Sequence, residues 1–344
     1  MDKYYNGGKI LQIKDLNGQT PEIFMVSGNR SAGKTTYFSR KLVNMFLEKR
    51  RKFVLLYRYK YMLTHCENSF FGNLKMFYPN CEMTGKTRQG GIYYELFLNG
   101  KSCGYALALN NPDTIKNISS MFYDVDAVLF DEFQATSDAG YCSDEISKFI
   151  SVHQSMARGG GKQSRYLPVY MLSNKSSLLN PYFTAFGISD RLRSDTKFMR
   201  GTGWVLEMNK NEHAAQAQAE STFMQAFAGS QFYAHSVDNM YLNDNIKFVE
   251  RMGGNNKYMA TIKFNNCEYS IREYDTPHVI YVSTGVDSNN PVKIAVTGDD
   301  HQTDYVLKQS YNYLITNLRI FYNWGLIRFQ NLNCKSAFLG LISY

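Results

Sequence analysis

The sequence predicts an α/β fold over its first two hundred residues and a smaller, β-rich unit beyond them. Short apolar runs alternate with amphipathic stretches up to about residue 200, a pattern of buried strands and covering helices. The first apolar run ends in a glycine-rich loop that opens a helix. Near residue 205 both charge and residue usage change. At 344 residues the chain exceeds one usual domain of about 100–200 residues, so two cores are expected. A hydrophobic share of 44%, with 26 Tyr and 23 Phe, argues against long disordered stretches.

Glu22–Ser27 and Phe53–Tyr57 (FVLLY) are apolar enough to be strands buried on both faces of a parallel sheet. Between them, Thr35–Lys49 places Phe38, Leu42, Met45 and Phe46 at helical spacing, which makes a strand–helix–strand unit. A second helix is predicted near Ser69–Tyr78, with Phe70, Leu74 and Phe77 on one face. Residues 92–109 form a hairpin, since Asn99-Gly100 tolerates the positive φ angles of a tight turn. Ala127–Phe130 and Val169–Leu172 add two buried strands, and Ser143–Met156 between them is helical, with Ile146, Phe149, Ile150 and His153 along one face. The Ala- and Gln-rich stretch Asn211–Gly229 reads as a helical linker. Beyond it Tyr258–Phe264, Cys267–Arg272 and Val279–Ser283 are strand-like, and Tyr305–Phe321 is amphipathic. The expected division is therefore a first domain over 1–204, a linker over 205–229 and a second domain over 230–344.

No run of about 18 uncharged apolar residues exists, and the first residues lack the apolar segment of a signal peptide. The expectation is a protein that stays in the cytoplasm where it is made and spans no membrane. Cys66, Cys81, Cys103, Cys142, Cys267 and Cys334 form no CxxC pair and are read as reduced thiols. The net charge of +8 is uneven: residues 1–204 hold 27 Lys and Arg against 17 Asp and Glu, and residues 205–344 hold 11 against 13. A polyanionic partner would meet the first domain.

Gly28-Asn29-Arg30-Ser31-Ala32-Gly33-Lys34-Thr35 matches the phosphate-binding loop G-x-x-x-x-G-K-[ST] at every defined position. At average residue frequencies a chain of this length shows such a match by accident about once in a hundred. The glycines let the backbone N–H groups of all eight residues face the phosphates at the positive end of the helix dipole. Lys34 would neutralise the β- and γ-phosphates of ATP, and Thr35 would offer its hydroxyl to Mg²⁺. About a hundred residues on, AVLF-Asp131-Glu132 ends a buried strand in two acids. Asp131 is the expected metal-holding carboxylate. Glu132 is placed to polarise an attacking water, which favours hydrolysis over transfer to another acceptor. Asn174, at the tip of the next strand, is either a sensor of the γ-phosphate or an ordinary turn cap. Arg158, before Gly159–Gly161, is either a finger reaching a neighbouring subunit's site or a charge that favours a helix C-terminus.

These motifs, with FMVSGNRSAGKTTYF, FVLLYRYK, LFLNGKSCGYALAL, VLFDEF, Met156-Ala157-Arg158 and LSNKSSLLNPYF around them, resemble the DNA-packaging ATPases of small, protein-primed, short-tailed phages. The likeness runs from about residue 22 to 185, with a fainter echo in NLRIFYNWGLIRF. It implies a P-loop NTPase of the additional-strand, catalytic-Glu class, assembled as a homomeric ring, a pentamer, on the portal of an empty prohead and driving double-stranded DNA through the ring. It assigns Arg158 as the trans-acting finger and Lys60 as a pore-facing basic group. It also implies that the C-terminal unit is an RNase H-like domain that has lost nuclease activity and docks onto DNA, the portal or a structural RNA. Asp238, Glu268, Glu273, Asp287 and Asp299 are the acids available there, without diagnostic spacing. A ring helicase or remodelling ATPase is the competing reading; Glu132 argues against a mere nucleotide switch.

Overall fold

A computed structural model of the chain describes residues 4–135, 140–158, 161, 163–177, 180–189, 191–192, 196–228, 233 and 248–342. The chain forms two compact units, residues 1–186 with 192–243, and residues 187–191 with 244–344.

The first unit is a nine-stranded sheet. Its strands are β1 (Ile23–Gly28), β2 (Lys52–Tyr57), β3 (Met83–Arg88), β4 (Tyr93–Leu98), β5 (Lys101–Ala108), β6 (Val125–Asp131), β7 (Val169–Asn174), β8 (Phe198–Gly201) and β9 (Trp204–Asn209). They lie in the order β3-β4-β5-β2-β6-β7-β1-β9-β8. The six strands from β5 to β9 are parallel, and antiparallel pairs close both edges. The strand β7 separates β1 from β6, which is the additional strand that the resemblance implies. Helix α1 (Gly8–Gln12) precedes the sheet, and α2 (Lys34–Lys49) buries Phe38, Leu42, Val43 and Phe46 in one core with Phe24, Val26, Phe53 and Leu55. The β4–β5 turn has φ of 50° at Asn99 and 71° at Gly100, as the sequence predicts.

Three expectations are corrected in this unit. The helix expected over Ser69–Tyr78 begins earlier, as α3 (Cys66–Gly72), and a 3-10 turn Lys75–Phe77 follows it. Gly72 and Asn73 are weak helix formers, and Pro79 blocks continuation. After α4 (Pro112–Asn117), helix α5 (Glu145–Ala157) buries Phe149, Val152 and Met156 and leaves Ile150 exposed. Its face is rotated from the one expected because the ring of Phe149 packs against Phe130 and Tyr182; Tyr182 lies on α6 (Pro181–Ala185). The expected boundary at 204/205 falls inside β9, which pairs with β1 along its length, so a chain ended at 204 loses a strand beside the P-loop. Helices α7 (Glu212–Ala219) and α8 (Thr222–Gln225) also belong to the first unit. Their Ala and Gln residues, partly or fully exposed except for Ala215, explain why the stretch reads as a linker.

In the second unit β10 (Lys257–Phe264), β11 (Cys267–Asp275) and β12 (His278–Ser283) form an antiparallel meander. Parallel strands β13 (Lys293–Ala295) and β14 (Val306–Leu307) extend it beside β10, and β15 (Ile327–Phe329) beside β12. A meander extended by parallel strands next to its first member is the arrangement expected of an RNase H-like fold. The amphipathic stretch Tyr305–Phe321 divides into β14 and the helix Asn312–Asn323. That helix and Leu332–Ile342 bury Ile315, Leu318, Phe338 and Leu341 with Ile262, Ile271 and Val282. Glu268 and Glu273 stand near opposite ends of β11, and Glu268 accepts a hydrogen bond from the Tyr305 hydroxyl at 2.7 Å. Asp287 lies in a loop and Asp299 in a 3-10 turn; Asp238 lies outside the described residues. Among the described residues no group of three or more His, Cys, Asp or Glu side chains could hold a metal. All six cysteines are free, and no helix of the described residues is long and apolar enough to cross a membrane.

Leu42 has no exposed surface and lies under the sheet. Leu42→Ala should lower the stability of the first unit by about 2–5 kcal/mol, read as a lower denaturant midpoint; an unchanged midpoint would mean that α2 is not anchored as described.

Candidate nucleotide site

The parallel register delivers the site. Gly28, the last residue of β1, lies level with Asn174 at the end of β7, and Asp131 at the end of β6 lies level with Leu172. All the site elements therefore emerge at the C-terminal edge of one sheet, where open α/β sheets bind their ligands. A cleft of about 610 Å³ runs along this edge, lined by Arg30–Tyr37, Asp131, Glu132, Ser173 and Asn174, with Tyr4, Arg40, Met76 and Phe77 at its outer part.

The two defining glycines of the loop serve different needs. A Cβ on Gly28 would collide with the carbonyl oxygen of Asn209 on β9, so this glycine lets two parallel strands close up. Gly33 has φ of +93°, and a Cβ there would meet Tyr4 and Tyr5 only at ordinary van der Waals distance; the backbone angle is what demands glycine there. Ser31 also adopts a positive φ, of 61°. The loop is clipped from outside by a reciprocal pair: the Asn29 side chain donates to the Asn211 carbonyl at 3.0 Å and accepts from the Asn211 N–H at 2.9 Å. Only the backbone of Asn29 is left for a phosphate. Arg30 is exposed at the cleft, and Ala32 is buried.

Lys34 is buried, and its ammonium donates to the Asn29 carbonyl at 2.7 Å and to the Asn174 side-chain oxygen at 3.4 Å. Burial lowers its pKa to about 8, partly opposed by the nearby Asp131 carboxylate. The Thr35 hydroxyl donates to the Asp131 carboxylate at 2.8 Å. Burial raises the Asp131 pKa to about 6, and Glu132 beside it acts in the same sense, against the Thr35 hydrogen bond. A desolvated cation, a carboxylate joined to a hydroxyl, and the buried Ser173 hydroxyl that has no protein partner fit a triphosphate with a divalent cation. Thr35 and Asp131 are the residues that would hold Mg²⁺.

Glu132 follows β6 with φ of 58°, a left-handed conformation that costs an L residue other than Gly, Asn or Asp about 1–2 kcal/mol. Such strain persists only where surrounding contacts impose it. One of these is the Glu132 N–H bond to the Asp131 carboxylate at 3.0 Å; another is the bond from the Phe133 N–H to the Leu172 carbonyl at 3.1 Å.

The structure gathers Lys34, Thr35, Asp131, Glu132 and Asn174 around one cleft. Arg158 lies elsewhere: it is exposed, in extended conformation just past α5. The carbonyls at that helix end are taken by Arg165, whose guanidinium donates to Met156 at 3.0 Å and whose N–H donates to Ala157 at 3.0 Å. Arg158 is thus not needed to complement the helix C-terminus. Gly159 and Gly160 lie outside the described residues, and Gly161 has φ of 81°. Lys60 is exposed at the start of a 3-10 turn, between Tyr59 and Tyr61, whose rings stack at 5.5 Å.

Several residues absent from the sequence-based set complete the site. Gln134, buried, donates to the Ser27 hydroxyl at 3.1 Å and accepts from the Ser176 and Ser177 N–H groups, joining the ends of β1, β6 and β7. Asn211 clips the P-loop, and Arg58 lies buried behind Glu132. Each has a decisive partner far away in sequence; the local signals are only a polar residue near a predicted strand end, for Arg58 and Gln134, and the start of a predicted helix, for Asn211.

The family model of the Podovirus DNA encapsidation protein (Gp16) matches residues 1–342. A DNA packaging protein of Bacillus phage B103 is 26% identical over 309 residues, 89% of this chain and 92% of that relative. The fold is similar to a chain of the bacteriophage Phi-29 viral genome packaging motor assembly, with a TM-score of 0.74 at 20% identity over 99% of this chain and 100% of that one. It is also similar to the N-terminal domain of the DNA packaging ATPase from bacteriophage phi29, with a TM-score of 0.50 at 23% identity over 60% of this chain and 97% of that one.

The separation of Lys34 from Glu132 within the cleft gives a test. Lys34→Ala should weaken binding of a fluorescent ATP analogue by at least about 100-fold, whereas Glu132→Gln should bind it normally and lower hydrolysis by about 10²–10⁴-fold. Near-normal turnover in both variants would place the active site elsewhere.

Proposed function

Because the chain belongs to the Podovirus DNA encapsidation protein (Gp16) family, we propose that it is the ATP-driven motor that moves double-stranded phage DNA into an empty prohead. The observation that carries the reading is the junction of Thr35 with Asp131 at 2.8 Å, with Glu132 next in the chain and directed into the same cleft. This is the arrangement a hydrolase needs: a phosphate grip, a metal-holding pair and an acid for water. The chemistry that bound Mg²⁺ supplies is neutralisation of charge on the β- and γ-phosphates.

The P-loop backbone and Lys34 grip the triphosphate, and Lys34 regains full charge against the phosphates. Glu132 accepts a proton from the attacking water as its oxygen bonds to the γ-phosphorus and the bond to the β,γ-bridging oxygen breaks, leaving ADP and phosphate. Asn174, already within reach of the Lys34 ammonium, senses whether the γ-phosphate is present. Gln134 ties the strand end that carries Glu132 to the loop that follows Asn174, so this signal can reach the loops of the sheet edge.

The motor works as a homomeric ring, a pentamer, with Arg158 of one subunit completing the site of the next. An exposed arginine released from helix capping by Arg165 suits that role. Lys60 and its stacked tyrosines face the DNA in the pore, in the more basic first unit. The ring assembles in the host cytoplasm and docks on the prohead portal. The RNase H-like unit serves as a docking element for DNA, portal or structural RNA without nuclease activity.

Two measurements test this reading. In mixed assemblies, Arg158→Ala and Glu132→Gln subunits, each inactive alone, should recover partial hydrolysis, because each defect then sits on a different partner; no recovery at any ratio in assemblies shown to be mixed would rule out a finger in trans. Lys60→Ala should leave ATP binding unchanged and reduce the slope of log affinity for random duplex against log salt by about one, the loss of one phosphate contact. An unchanged slope would remove Lys60 from the DNA path.

A further inference from the structure

We propose that Arg58 is a positioning residue for hydrolysis, fixing the strained backbone of Glu132 so that its carboxylate faces the nucleotide; this rests on the reading of Glu132 as the water-polarising acid. Arg58 directly follows β2 and is 4% exposed. Its Nη1 donates to the carbonyl oxygen of Glu132 at 3.2 Å and its Nη2 to that of Phe133 at 2.8 Å. One planar guanidinium thereby sets two consecutive carbonyls. With the Glu132 N–H held by Asp131, both backbone polar groups of Glu132 are committed, and its left-handed φ is imposed from both sides.

The guanidinium is itself held. Its Nε donates to both oxygens of Glu145 at 3.0 and 2.9 Å, and the rings of Tyr141 and Phe130 lie 5.0 and 5.5 Å from its centre. Glu145, 1% exposed, also accepts from the Tyr182 hydroxyl at 2.8 Å and the Cys142 N–H at 2.9 Å. A fully satisfied buried ion pair of this kind is a poor source of stability, since apolar residues of similar volume often serve as well. What apolar residues cannot do is direct two carbonyls. Lysine cannot either, because its ammonium is a point charge without a planar fork. The two Nη donors of Arg58 go to the one turn of chain that carries the acid, which is where geometry matters for rate: displacement by about 1 Å can cost about 100-fold.

The test uses the full chain with Arg58→Lys, Tyr182→Phe and the double variant Arg58→Lys/Glu132→Gln. Arg58→Lys should bind the fluorescent ATP analogue within about two-fold of the parent and hydrolyse ATP about 100-fold more slowly, a split between kcat and binding that simple loss of stability does not produce. Combined with Glu132→Gln it should cause no further loss, because a positioning residue has nothing to position once the acid is gone. Tyr182→Phe, which loosens only Glu145, should give the same split at about 3- to 10-fold and decides the matter if Arg58→Lys does not fold. A parent-like kcat in whichever variant folds, or losses that multiply in the double variant, would overturn the proposal while leaving Glu132 as the catalytic acid. Full activity of Glu132→Gln would instead overturn the reading of the site, and the role of Arg58 with it.

Discussion

The hydrogen-bond ladder that places β7 between β1 and β6 governs the rest of the first unit. Parallel neighbours stand about 4.8 Å apart, so the P-loop strand and the acid-bearing strand are separated by about 10 Å. That gap is wide enough for phosphates and still bridged by the side chains of Thr35 and Lys34, which point back from the first turn of α2. The strand in between also puts Ser173 and Asn174 at the middle of the cleft, between the cation and the acids.

Around this ladder, polar side chains tie together loops that a parallel sheet leaves loose. The ends of parallel strands carry no hairpins, so each loop at the C-terminal edge needs its own anchor. Asn29 with Asn211 fixes the P-loop to the chain beyond β9, Gln134 fixes the end of β6 to β1 and to the loop after β7, and Arg58 fixes the turn after Asp131 to α5. Each anchor is buried and hydrogen-bonded on more than one side, the condition under which buried polar networks rigidify a structure. A cleft so braced can hold Glu132 in a left-handed conformation without glycine.

Much of this was legible in the sequence wherever the signal is local. The unit β1–α2–β2, the Asn99-Gly100 hairpin and the paired acids are each written within a few residues, and the P-loop spacing carries its own mechanism. What remained hidden depends on contacts distant in the chain. Nothing near Arg58 indicates that its partners lie at 132, 133 and 145, and a lone arginine after a strand reads as surface charge. The face of α5 was ambiguous because Phe149 belongs to two helical stripes, and only its packing on Phe130 and Tyr182 selects the one with Val152 and Met156. Composition placed the domain boundary inside β9, because a shift in residue usage marks where surfaces change, whereas a unit ends where pairing does.

The carbonyl of Asn29 is a weak substitute for a phosphate, and this bears on Lys34. A buried ammonium with a pKa near 8 is partly neutral in mildly alkaline solution, whereas beside the triphosphate it is fully protonated. Loading the site should therefore be coupled to proton uptake, and ATP affinity should weaken as pH rises above about 8 even if every contact with the nucleotide is unchanged. The loop that grips the fuel also makes its capture sensitive to the acidity of the medium.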